Sequence, residues 1–126
     1  MKKLNVLLVD DDTINRKLIK TLLSHHPDII QSVTEATNGA EALEIVNSNP
    51  NINLVLLDII MPILDGKGFL KTFRSQRKNS NTPVIVLTTD DSKKSEALNY
   101  GADDILIKPI KEEELLKHIK YWTQEA

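Results

Sequence analysis

The chain has 126 residues, with 16 Lys+Arg against 18 Asp+Glu, 40% apolar residues and no cysteine. That length suits one domain, residues 1–126, which can bury roughly two-thirds of its unfolded surface without a staple. The missing cysteine excludes a disulfide framework, a thiolate nucleophile and a Cys-type zinc site, and the formal charge of −2 argues against a nucleic-acid-binding surface.

In chain order, Leu4 to Val9 comes first, an apolar run that predicts a buried strand. Lys2 and Lys3 ahead of it resemble the start of a signal peptide. The run is too short for one, however, and ends in three aspartates instead of a cleavage site. Ile14, Leu18, Ile19, Leu22 and Leu23 then recur at helical spacing, with Asp12 or Thr13 as the N-cap. Ser32 to Ala36 alternates, as a more exposed strand does. Ala42, Leu43 and Val46 mark a second helix, Ile52 to Leu57 a buried strand, and Phe69, Leu70 and Phe73 a third helix. Gln76 to Thr82 is the most polar stretch and reads as a surface loop. Val84 to Leu87 is the next buried strand. A short helix around Ala97 and Leu98 follows, with Ser92 before it and Gly101 after it as start and stop. Ile105 to Ile107 is the last strand. Leu115, Leu116, Ile119 and Trp122 line the last helix, where Tyr121 and Trp122 are expected to close the core.

Pro27, Pro50, Pro62, Pro83 and Pro109 all fall in junctions between these elements. Proline removes a backbone donor and resists helix and central-strand interiors, so its placement supports the map independently. Strand and helix alternate five times, and most strands are apolar without alternation. That is the pattern of a parallel sheet covered on both faces. With right-handed crossovers it gives a doubly wound α/β sandwich of three layers around a five-stranded parallel sheet. The longest apolar stretch, Ile52 to Leu64, is broken by Asn53, Asp58 and Pro62, so no membrane span is expected. The expectation is a soluble cytoplasmic domain.

Ligands of such sheets bind beyond the carboxyl ends of the strands. There the chain places Asp10, Asp11 and Asp12 after the first strand and Asp58 after the third. Thr88, Thr89, Asp90 and Asp91 follow the fourth, and Lys108 and Pro109 end the fifth. Any one of these residues could be an ordinary helix cap or turn. Together they are harder to explain that way. Two like charges about 4 Å apart repel by roughly 4 kcal/mol at an effective dielectric of ~20. A cluster of Asp10, Asp11 and Asp58 therefore calls for a bound cation or a raised pKa. Hard oxygen ligands with open positions suit Mg²⁺. Lys108 and Thr88 could serve phosphate oxygens, which points to Mg²⁺-assisted phosphoryl chemistry.

Val9-Asp10-Asp11, then Asp58-Ile59-Ile60-Met61-Pro62-Ile63-Leu64-Asp65-Gly66, then Thr88, then Lys108-Pro109 resembles the receiver domain of two-component response regulators. The spacings, 30 residues from Asp58 to Thr88 and 20 from Thr88 to Lys108, are the family's. The resemblance implies a (βα)5, flavodoxin-like or CheY-like fold with Asp58 as the phosphoacceptor. The donor would be a phosphohistidine on a histidine kinase or histidine phosphotransfer protein. Mg²⁺ would be held by Asp11, Asp58 and the Ile60 carbonyl, with Asp10 acting mainly through a bound water. Lys108 would pair with one phosphoryl oxygen, Thr88 would hydrogen-bond another, and the Lys108–Pro109 bond would be cis. The chain would be a signalling domain and not an enzyme, a monomer or weak homodimer. Its output would pass through a downstream protein target or an output domain absent from this chain.

Several positions depart from the family pattern. Ile105 stands where receivers usually carry Tyr or Phe, and Thr89 where a small residue is usual, so a muted conformational switch is expected. Ile60 and Asp90 hold positions that tune hydrolysis in the family. Ile60 offers an attacking water no side-chain hydrogen bond, which implies a long-lived acyl phosphate that Ile60→Asn would shorten. Asn15-Arg16 is either an exposed helix turn or a mark of receivers from hybrid kinases and phosphorelays. His25, His26 and His118 read as surface residues. Two rival functional readings fit less well. A haloacid-dehalogenase-like phosphatase would need its late acidic pair after the lysine, whereas Asp103-Asp104 precedes the last strand. A flavodoxin-like cofactor binder would need a Gly-rich loop after the first strand, and the glycines lie elsewhere.

Overall fold

The computed structural model describes residues 3–59, 65–76 and 81–124. The apolar runs become five strands: β1 (Leu4–Val9), β2 (Ile30–Ala36), β3 (Leu54–Asp58), β4 (Val84–Thr88) and β5 (Asp104–Ile107). Five helices alternate with them: α1 (Thr13–Ser24), α2 (Gly39–Ser48), α3 (Gly66–Ser75), α4 (Lys94–Asn99) and α5 (Glu112–Thr123). All strand pairs are parallel, in the order β2-β1-β3-β4-β5. The doubly wound fold expected from the sequence is the fold observed.

The strands are apolar at successive positions because both faces are covered. Leu7, Val9, Val55, Leu57, Val86 and Ile105 pack with Ala42, Val46, Phe69, Phe73 and Ala97 of α2, α3 and α4. The alternate residues Val6, Leu8, Leu54, Leu56, Ile85 and Leu106 pack with Ile19, Leu23, Leu115 and Ile119 of α1 and α5. Edge strand β2 is only partly buried, in keeping with its alternation.

Helix starts follow local chemistry. Asp12 caps α1 by accepting from the Ile14 amide at 2.8 Å. Asn38 caps α2 through the Glu41 amide at 2.9 Å, and Glu41 reaches back to the Thr37 amide at 2.8 Å. Asp65 caps α3 through the Gly68 amide at 2.9 Å. The three glutamates opening α5 need no cap of that kind, since they sit at the positive end of its dipole.

Several expectations need correction. The α1 stripe is narrower than its spacing implied, because Ile14 is 78% exposed and Leu18 is also exposed. Only Ile19 and Leu23 of that stripe are fully buried. Tyr121 does not close the core, being 66% exposed, whereas Trp122 packs against it. Ser92 is not the start of α4. Asp90 caps a single 3-10 turn over Asp91–Lys93 through the Ser92 amide, and that turn runs into the helix. Strand β3 begins at Leu54, because the Asn53 side chain takes the place of a ladder bond by accepting from the Asn5 amide at 2.7 Å. Pro62 and much of the polar loop lie outside the described residues. Among the described residues, no helix is long and apolar enough to cross a membrane.

Candidate phosphoryl and metal site

The first crossover returns to one side of β1 and the next strand lies on the other, so the order of strands reverses between β1 and β3. The crevice at that reversal is where an open α/β sheet binds ligands. Asp10 and Asp11 leave β1 there, and Asp58 is the last residue of β3. One carboxylate oxygen from each of Asp10, Asp11 and Asp58 lies within 4.8 Å of the others. It is the only such cluster among the described residues. Ile60, expected to offer its carbonyl, lies outside the described residues.

Asp10 is 3% exposed. One of its oxygens accepts from the Asp12 amide at 2.9 Å, and the other meets Lys108 Nζ at 3.2 Å. Asp11 is exposed and Asp58 half-buried. Thr88 ends β4 and is buried. Its carbonyl accepts from the Lys108 amide at 2.7 Å, and its hydroxyl oxygen accepts from the Asp90 amide at 3.2 Å. The Lys108–Pro109 peptide is cis.

The arrangement gathers three carboxylates against one lysine. At the observed spacing each like-charge pair costs on the order of 3 kcal/mol at an effective dielectric of ~20. Binding a divalent cation removes that cost, and an all-oxygen donor set open to solvent on one side suits a hard ion that keeps waters. The residues present fit Mg²⁺.

One residue near the site was only half legible. Arg16 does not lie on an exposed helix turn: its side chain is 13% exposed and its guanidinium donates to the Asp10 carbonyl at 2.8 Å. It also donates to Glu35 on β2 at 3.1 Å. Lys20 reaches the other Glu35 oxygen at 3.1 Å. Against the opposing effect of burial, Lys20 first and Arg16 second hold the Glu35 carboxyl below its usual range. A basic residue one turn after an acidic strand end was the available signal.

The model of the response regulator receiver domain matches residues 6–120. The chain belongs to the response regulator receiver family. This receiver is 38% identical over 122 residues to a probable transcriptional regulator, ycf27, of Porphyridium aerugineum, covering 95% of this chain and 48% of that protein. The receiver spans about half the length of the curated relatives it matches. A putative response regulator from Chloroflexus aurantiacus superposes with a TM-score of 0.87 at 28% identity, covering 96% of this chain and 98% of that one. The receiver domain of a sensor histidine kinase from Pseudomonas aeruginosa, with magnesium coordinated in its active-site cleft, gives 0.84 at 27% identity and covers 96% and 98%. The receiver domain of Ssk1 from Saccharomyces cerevisiae, solved with the histidine phosphotransfer protein Ypd1, gives 0.84 at 31% identity and covers 95% and 88%. The protein is thus a receiver domain of two-component signalling, with a CheY-like fold.

Proposed function

We propose that this receiver takes a phosphoryl group from a phosphohistidine onto Asp58 in a Mg²⁺-dependent reaction. The observation that carries the reading is the meeting of Asp10, Asp11 and Asp58 beside Lys108 at the sheet's topological switch. An Asp58 carboxylate oxygen forms the new O–P bond as the N–P bond of the donor breaks. The donor's phosphoimidazole, protonated on its other ring nitrogen, releases a neutral imidazole as the N–P electron pair goes to nitrogen, and an acyl phosphate remains on Asp58. Asp11 and Asp58 would hold Mg²⁺, with Asp10 acting mainly through a bound water, and the ion would supply charge neutralisation at the phosphoryl oxygens. Lys108, tied to Asp10 before transfer, is within the same cluster to pair with a new oxygen. Thr88 has its hydroxyl proton to donate. The phosphorylated site carries about one more negative charge than before, which biases the loops around it.

The chain acts in this reading as a phosphoacceptor and not as a turnover enzyme. Its donor is a histidine kinase or phosphotransfer protein in the cytoplasm, and its output passes to another protein or domain. The magnesium-bound kinase receiver and the phosphotransfer complex among its structural relatives support both halves of that assignment. The exposed Ile14 and Leu18 offer a donor protein an apolar foothold. Leu18 also lines a groove between α1 and the loop after β5, together with Asn15, Thr89, Lys108, Pro109 and Ile110.

Incubation with Mg²⁺ and a small phosphodonor, followed by mass spectrometry, tests the reading. The native chain is expected to gain about 80 Da, one phosphoryl group, and Asp58→Asn to gain nothing. An equal adduct on the variant, or none on either chain, would place the chemistry elsewhere.

A further inference from the structure

Asp10 and Asp11 are adjacent in sequence but are held in different ways. Both carboxylate oxygens of Asp10 have partners, the Asp12 amide and Lys108. The Asp11 carboxylate has no hydrogen bond or ion pair among the described residues, and Asp11 is exposed. Where Asp11 points is therefore decided by its backbone, and first by the plane of the peptide that joins it to Asp10. The carbonyl of that peptide is the atom to which Arg16 donates at 2.8 Å. The same guanidinium reaches Thr13 Oγ1 at 3.4 Å and Glu35 Oε1 at 3.1 Å. One planar fork thus spans the exit of β1, the first turn of α1 and the edge strand β2. A planar, delocalised cation with five donors on three nitrogens can do this, whereas the single nitrogen of an ammonium cannot take the place of all three.

We propose that Arg16, locked by Glu35, is a positioning residue that orients the Asp10–Asp11 peptide and so aims Asp11 at the divalent cation. The inference rests on the Mg²⁺-dependent reading of the site. It also has a sign that sets it apart from plain electrostatics. Arg16 is a cation beside a cation site, so charge alone predicts that removing it tightens Mg²⁺ binding. Positioning predicts the opposite. Groups that orient metal ligands from behind typically contribute 10–100-fold to metal affinity.

The test is the Mg²⁺ dissociation constant, followed by amide chemical shifts of the full chain, in Arg16→Ala, Arg16→Lys and Lys20→Ala. The first two are expected to weaken Mg²⁺ about tenfold, at the low end for such groups, because neither retains the fork. Lys20→Ala removes the same charge and the same Glu35 partner but leaves the Asp10 carbonyl bonded, so its constant should stay within about twofold of wild type. Glu35→Gln keeps an acceptor while freeing the guanidinium's far end, and should fall between the two. It carries the test if Arg16→Ala does not fold. Unchanged or tighter Mg²⁺ binding in Arg16→Ala overturns the proposal, as does full rescue by Arg16→Lys or an equal loss in Lys20→Ala. A wild-type chain that binds no Mg²⁺ and takes no phosphoryl group overturns the functional reading and this inference with it. Normal wild-type loading alongside indifferent Arg16 variants overturns the inference alone.

Discussion

Gly66 shows how much of the site depends on a missing atom. A Cβ at Gly66 would lie 2.6 Å from the Ile59 Cα and 2.7 Å from the Asp58 carbonyl oxygen. Both are backbone atoms and cannot swing aside, so the first turn of α3 presses directly on the backbone of Asp58 and Ile59. The Gly66 amide closes this contact by donating to the Ile59 carbonyl at 3.0 Å. Gly66→Ala is expected to destabilise the fold by about 1–3 kcal/mol, the usual cost of overfilling a packed contact. Urea titration would measure it as a lower midpoint at unchanged slope. A midpoint equal to wild type would mean that this backbone contact yields freely. The Asp65-Gly66 pair was visible in the sequence only as part of a family motif. Its physical cause, a backbone approach closer than any side chain permits, emerges once Asp58 and α3 are placed in space.

At the scale of elements, α5 is fastened to the sheet by a polar cluster. Asp104 on β5 accepts from the Trp122 indole at 2.8 Å and from the Ile105 amide at 2.8 Å, and it pairs with His118 Nδ1. Burial pushes the Asp104 carboxyl up. The bonds from His118, Trp122 and the Ile105 amide together outweigh that and hold it below its ordinary 3.8. A carboxyl depressed by folding contributes stability above its unfolded pKa and loses it as pH falls through the folded one. The contribution is therefore present at neutral pH and disappears progressively below about pH 4. Trp122 is the chain's one tryptophan and touches the titrating group, so its fluorescence reports the event directly. Its emission is expected to shift below pH 4 in the native chain and to be flat there in Asp104→Asn, which should also be less stable at neutral pH. A variant with the native acid profile would assign the transition to other carboxylates. The sequence carried the outline of these elements well, because apolar runs, helical spacing and proline placement agreed. It misjudged faces wherever one residue type serves two environments. Ile14 and Leu18 have core spacing but face solvent, and Tyr121 and Trp122 are neighbours with opposite fates. His118 read as a lone surface histidine, because its partner lies 14 residues away on another element.

For the whole molecule, the candidate site was legible because the fold itself makes it: residues 48 positions apart, Asp10 and Asp58, meet wherever β1 and β3 are neighbours in a parallel sheet. What the sequence withheld was the support behind them, since Arg16 and Glu35 act through a carbonyl and no motif records that. The same whole-molecule view governs how far a signal can travel. Thr88 on β4 pairs with Ile107 on β5, and Ile105 lies two residues earlier opposite Val86. Ile105 is buried in the same cluster as Ala97, Ala102 and Phe69. It has no polar atom to follow a moving hydroxyl, and a close-packed interior gives a branched side chain little room to change rotamer. Motion of Thr88 can therefore be passed on only through backbone and packing. On binding of a metal-fluoride mimic of the phosphoryl group, amide shifts are expected to concentrate in the loops after β1, β3 and β4. They should fade along β5 and be small in α5. Shifts of full size through α4, β5 and α5 would show that the aromatic usual in the family is dispensable, and that backbone coupling alone carries the switch.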